Sequence, residues 1–327
     1  MNNRRLVECR GEGIYQLRMP LPFPLRWVNA YLLKDANGYT VIDPGLRTAD
    51  AERSWEEAMQ ELGVNVRDIR QIILTHHHPD HIGMAGLLQQ QTGAIVRLSV
   101  SGMDQIDYLW GERRQATEEL LALFLYHGMD LRTCERMRDH LESFVPLVSP
   151  LPEFTPLAAG EIVQMGGHTY KAIAAPGHAF GQLMLCNDKG ILFCGDHVLP
   201  QISPNVGLLP RFDSNPLGSY LTSLEEVSQL SVHQAFPGHR DPFTDFAVRC
   251  RELIEHHHQR LEKMLTMLDQ PTTAFMVCQT FFGQTLSIHQ LRFALAETLA
   301  HLVYLREQGD VVELSALGDQ AHFLVRN

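Results

Sequence analysis

Residues 75–83 read THHHPDHIG, placing four histidines and an aspartate in six consecutive positions directly behind the apolar run IRQIILT. The run is nearly continuous in hydrophobicity, as expected of a strand buried on both faces. Packing histidine this densely normally costs solvation or charge. Alternate side chains of an extended chain point the same way, so His76 and His78 face together and His77 turns away. Pro79 fixes the backbone, and Asp80 and His81 then sit at a helix start facing the same cleft. Neutral imidazole and carboxylate are suitable ligands for zinc, iron or manganese.

The flanking pattern places this cluster in a layered fold. AYLLKDANGYTVIDPG reads as two strands around an Asn-Gly turn, the second ending at Asp43. A polar helix over about 49–62 precedes the IRQIILT strand. MAGLLQQQTG then predicts a helix closed by Gly93, and AIVRLSV the next strand. Strand, helix and strand joined by short loops point to a layered α/β architecture. Strands resume over 161–195, followed by the helix PLGSYLTSLEEVSQL, the strand in HQAFPGHRD, and a long amphipathic helix.

Three more ligand candidates each end an apolar strand: His178 in AAPGHAFG, Asp196 in LFCGDHV and His239 in AFPGHRD. Groups at strand ends of an α/β sheet converge on one edge, where sites are built. The preceding glycines, Gly177, Gly195 and Gly238, would let the backbone turn sharply toward the cleft.

In order and context, His76, His78, Asp80, His81, His178, Asp196 and His239 resemble the H-x-H-x-D-H, GH, GD and GH motifs of the metallo-β-lactamase superfamily. The resemblance spans roughly residues 25–245 and fills all seven ligand positions. It implies an αββα sandwich and two divalent metal ions, zinc foremost, with iron or manganese open. It also implies that His76, His78 and His178 bind one ion and Asp80, His81 and His239 the other. Asp196 would bridge them together with a hydroxide, and Asp43 would support the metal loop from below. Asp80 and Asp196 are then the catalytic carboxylates, with Asp80 steering the proton after attack. Two cations can lower the pKa of a bridging water from about 15.7 toward about 7.

The implied activity is hydrolysis of an ester, thioester or lactone of a small, partly apolar substrate. An endoribonuclease and a persulfide-type oxygenase using one iron are the alternatives within the resemblance. Zinc β-lactamases commonly carry cysteine where Asp196 stands, which argues against an antibiotic role. The tail past 269 is similar to the small winged-helix domain of the glyoxalase II-related group. The expected division is a catalytic domain over 1–268 and a winged-helix-like domain over 269–327.

Residues 100–150 interrupt the strand rhythm. TEELLALFLYHGM and TCERMRDHLESF predict helices, with Cys134, Met137, Leu141 and Phe144 on one face. This helical insertion is expected to be a lid over the cleft or a homodimer interface. Beyond Pro271 two short helices and a hairpin are expected. Tyr220, His127 and His197 are candidate substrate contacts. The His256–His258 run diverges around a helix and predicts a solvated face. Six scattered cysteines without C-x-x-C spacing suggest core thiols rather than a disulfide framework.

The net charge of -11 repels phosphate backbones. Residues 271–327 hold three basic residues against five acidic ones, so no nucleic-acid partner is expected. No apolar stretch reaches membrane-spanning length, and a cytoplasmic location is expected.

Overall fold

The computed structural model describes residues 5–112, 115–314 and 320–326. Among these, seven strands form one sheet in sequence order: β1 (Val7–Cys9), β2 (Ile14–Pro20), β3 (Trp27–Asp35), β4 (Gly38–Ile42), β5 (Ile69–Ile73), β6 (Ile95–Leu98) and β7 (Phe154–Pro156). A second sheet of five strands holds β8 (Ile162–Met165), β9 (His168–Ala174), β10 (Leu183–Asn187), β11 (Ile191–Gly195) and β12 (Gln234–Pro237), in the order β12-β11-β10-β9-β8. The helices are α1 (Ala49–Leu62), α2 (Pro79–Ile82), α3 (Ala85–Thr92), α4 (Val100–Trp110), α5 (Gln115–Tyr126), α6 (Leu131–Glu142), α7 (Pro216–Val227), α8 (Phe246–Leu265), α9 (Ala274–Phe282) and α10 (Ile288–Gln308).

Strict alternation assigns side chains to layers. On β3, Tyr31 and Leu33 enter the core between the sheets, whereas Val28, Ala30 and Leu32 join the core under the first sheet's helices. On β5, Ile73 faces between the sheets and Ile72 the helix layer. The second sheet repeats the scheme: Leu183, Leu185 and Phe193 point inward, and Met184, Leu192 and Cys194 point to the helices behind. Both faces of these strands are covered, which explains their continuous apolar sequence. Trp55, Ala58 and Met59 of α1 close one outer face. Leu217, Leu221 and Leu224 of α7, with Cys250 and Leu253 of α8, close the other. The molecule is therefore an αββα sandwich with a C-terminal addition.

The insertion and the tail share one core. Leu121 and Phe124 of α5 and Met137 of α6 belong to the same buried cluster as Leu295, Leu299 and Leu302 of α10. Cys134, Met137, Leu141 and Phe144 are all buried, as their spacing predicts. The tail's strands β13 (Val311–Leu314) and β14 (His322–Val325) pair antiparallel; the middle of this hairpin, 315–319, lies outside the described residues.

The structure departs from the sequence expectation at three places. Helix α4 is absent from the sequence expectation. Helix α10 has 21 residues rather than being short. It is buried continuously from Glu297 to Val303, all around its circumference, so it carries no apolar stripe to betray its length. His257 points inward rather than to solvent, its Nδ1 lying 3.1 Å from His301 Nε2. Among the described residues, no helix is long and apolar enough to cross a membrane.

Candidate metal centre

The seven ligand candidates come together at one edge of the sandwich. His76 and His78 follow β5, and Asp80 and His81 sit on α2, which Pro79 opens. β10 is antiparallel to both β9 and β11, and β12 is parallel to β11. So β9, β11 and β12 all run the same way, and the loops carrying His178, Asp196 and His239 leave on the same side. Gly195 has φ 51° at a register shift of β11, and a Cβ there would lie 2.6 Å from Thr75 Oγ1. A Cβ on Gly238 would lie 2.1 Å from Asp196 Oδ1 and 2.7 Å from His81 Cε1. Only glycine lets these backbones come so close to the cluster.

Hydrogen bonds behind the cluster fix which imidazole nitrogen faces it. Asp43 is buried and receives Thr75 N–H at 2.8 Å, Thr75 Oγ1–H at 2.6 Å and His81 Nδ1–H at 2.9 Å. The Thr75 hydroxyl proton is thereby committed, so its oxygen accepts from His76 Nδ1 at 2.9 Å. His178 Nδ1–H donates to the Asn205 carbonyl at 2.7 Å, and His239 Nδ1–H to the Trp27 carbonyl at 3.1 Å. Each of these four rings, tied back through Nδ1, turns its Nε2 to the centre. His78 presents Nδ1, 3.1 Å from His76 Nε2.

The donor atoms form two groups around one carboxylate. Donor atoms of His76, His78 and His178 lie within 4.8 Å of one another, and so do those of Asp80, His81 and His239. Asp43, His76 and His81 are equally close, but both Asp43 oxygens are already occupied by hydrogen bonds. Asp196 Oδ2 stands between the two groups, 3.2 Å from His239 Nε2, 3.5 Å from His81 Nε2 and 3.8 Å from His178 Nε2. Asp80 Oδ2 lies 3.2 Å from His239 Nε2.

Electrostatics favour a cation here. Burial holds His76 and His78 well below the ordinary imidazole range, and neighbouring histidines push the same way, so both are neutral donors. Burial also opposes charge on His81 and His239, yet the carboxylates outweigh it. Asp196, Asp43 and Asp80 raise His81 well above its usual range, and Asp196 with Asp80 raises His239 to about 10. Burial would raise Asp80 and Asp196, but His81 and His239 hold both low. His81 Nε2, His178 Nε2 and Asp196 Oδ1 are buried without a hydrogen-bond partner among the described residues. Unsatisfied donors converging on paired carboxylates fit a divalent metal.

Two cavities flank the cluster. Gln105, Leu109, Trp110, Ala116, Leu120 and Leu141 of the insertion wall one beside His78 and His178. The other adjoins Asp80, Asp196 and His239 and is walled by Phe23, Phe144 and Phe282. They meet at His78, His178, Asn205, Arg292 and Phe293. Sequence reasoning missed Thr75, Asn205, Arg292 and Phe293; only Thr75 carried a signal, as the residue that opens the histidine string.

The three proposed substrate contacts are corrected. Tyr220 is fully buried and donates its hydroxyl to the His197 carbonyl at 2.8 Å. His197 is equally buried, with Nε2 3.0 Å from Ser223 Oγ. His127 stacks on Phe323 of the C-terminal hairpin, ring centres 5.6 Å apart. None of the three lines either cavity.

Fold and donor set together define a metal-dependent hydrolase. The profile of the Metallo-beta-lactamase superfamily matches residues 25–239, and that of the Metallo-beta-lactamase-like C-terminal domain matches residues 261–322. The chain belongs to the metallo-beta-lactamase superfamily. A probable metallo-hydrolase of Bacillus subtilis is 30% identical over 89% of this chain and 91% of its own length. A metallo-beta-lactamase family protein of Thermus thermophilus superposes with a TM-score of 0.86 at 36% identity, covering 97% of this chain and 100% of that one. An atrochrysone carboxyl ACP thioesterase of Aspergillus fumigatus is 22% identical over 76% of this chain, which spans 62% of that protein's length.

Proposed function

We propose that the protein is a dinuclear metal-dependent hydrolase of a small, partly apolar ester, thioester or lactone. The observation that carries this reading is the position of Asp196 Oδ2, within 3.8 Å of ring nitrogens from both ligand groups. His76, His78 and His178 would hold one ion and Asp80, His81 and His239 the other, with Asp196 shared. Zinc suits this nitrogen-rich set, and iron or manganese is compatible with it. Bound there, two divalent cations supply an acidified water at neutral pH and a Lewis acid for the carbonyl oxygen.

The chain's own residues do the rest. Asp43, Thr75, Asn205 and Trp27 hold the rings in the tautomer that faces the centre. Asp80 is the more exposed carboxylate of the pair and would pass a proton to the departing group. Apolar walls from the insertion and the tail exclude water from the acyl part of a substrate. On this reading residues 1–268 carry the chemistry and 269–327 close one side of the cleft. The thioesterase relative supports an acyl substrate, and the net charge of -11 supports a small molecule over a nucleic acid.

The test is a screen of the metal-loaded protein against aryl esters, acyl thioesters, lactones and single-stranded RNA. Turnover of an acyl substrate, lost on chelation, is the expected result. Cleavage of RNA alone would replace the reading with an endoribonuclease.

A further inference from the structure

We propose that Arg292 selects the substrate by binding a carboxylate on its acyl part. The inference rests on the hydrolase reading above and names the substrate class for that site.

Arg292 sits where the two cavities meet, beside His78 and His178. Among the described residues lining either cavity it is the sole lysine or arginine. Its guanidinium stacks on Phe293 at 4.2 Å and Phe144 at 5.0 Å from the ring centres. Among the described residues it has neither a hydrogen bond nor an ion pair. Burial lowers its pKa to about 10, while Asp80 pulls the other way, so it stays charged at neutral pH.

A guanidinium carries five donors, and those of the half-buried Arg292 are open to the cavity rather than sealed in the core. Stacking on two rings orients the group but satisfies none of its N–H groups. Asp80 offers countercharge only while the centre is free of metal. Two divalent cations would take up the charge of Asp80, Asp196, Asp43 and a bound hydroxide, leaving the loaded centre no spare negative charge for Arg292. The other carboxylates lining the cavities, Asp213 and Glu297, make no ion pair with Arg292, and Glu297 is taken by Arg260, so an anion from outside the chain is the partner left for it. The planar fork matches a carboxylate through two parallel hydrogen bonds. A single cation balances a monoanion, and no second basic side chain lines the cavities to balance a phosphate. The substrate class is thus a hemi-ester or hemi-thioester of a short dicarboxylic acid, its free carboxylate on Arg292 and its scissile carbonyl at the centre.

The test compares three aryl esters of matched length on the protein with its metals: a butanoate, a hemiglutarate and an ester ending in a phosphonate. Wild type should prefer the hemiglutarate. Arg292→Met, which keeps the apolar stem, should lower kcat/KM for that ester by about 30-fold or more and change the butanoate by less than about threefold. Arg292→Lys should fall between them. An equal loss on hemiglutarate and butanoate would make Arg292 a scaffold or transition-state group and overturn the proposal, as would preference for the phosphonate or no preference in wild type. Calorimetric binding of free glutarate to wild type and Arg292→Met separates this from failure of the hydrolase reading. If no ester is hydrolysed, binding lost in the variant still supports the carboxylate site, and unchanged binding overturns it.

Discussion

Asp43 Oδ2 accepts the Nδ1–H of His81 at 2.9 Å while the same carboxylate receives both the backbone N–H and the hydroxyl of Thr75. One buried carboxylate thus sets the tautomer of His81 directly and that of His76 through Thr75. Asparagine in its place has a single oxygen for three donors. Its amide would face a donor and turn one imidazole to the wrong tautomer. Asp43→Asn should lower metal affinity about 10- to 100-fold, read by competition with a chromogenic chelator. Secondary structure should be retained by circular dichroism.

Glu297 ties the C-terminal helix to a candidate ligand. It accepts from Asn205 Nδ2 at 2.9 Å and pairs with Arg260, while the Asn205 carbonyl holds His178. Both partners of the ion pair are largely buried, so Glu297→Ala leaves Arg260 unpaired and should cost about 3 kcal/mol of stability in denaturant unfolding. Glu297→Gln keeps the bond to Asn205 and should retain metal content better than the alanine variant.

The insertion's role is best tested by point changes, because removing α5 and α6 would open the core they share with α10. Trp110 and Leu120 face the cavity beside His78 and His178. Their replacement by alanine should lower kcat/KM for bulky apolar acyl esters about tenfold more than for acetyl esters. Metal content should be unchanged. Equal losses on both ester classes would favour an interface or scaffold role for this segment.

Much of this was legible because it is local. The ligand candidates end apolar strands beside glycine, and alternation at the end of β5 separates His76 and His78 from His77. Asp43 was legible for the same reason, closing the strand of the Asn-Gly hairpin. What stayed hidden depends on long-range packing. His197 adjoins Asp196 in sequence, but the kink at Gly195 sends it behind the sheet against Ser223. Tyr220 lies on a helix face that the sheet covers. Asn205 acts through its backbone carbonyl, which no side-chain pattern announces. Arg292 is one basic residue on the half-buried first turns of α10, and only the fold brings it to His178.

The count of metal ions in wild type and Asp196→Ala tests the central claim most directly. Protein purified without chelator should contain close to two equivalents by elemental analysis, because Asp196 Oδ2 stands between two candidate ligand groups. The alanine variant should retain less metal and lose turnover, and chelation of wild type should abolish activity that added zinc restores. One equivalent of metal with full activity, or an Asp196→Ala protein as active as wild type, would contradict the account.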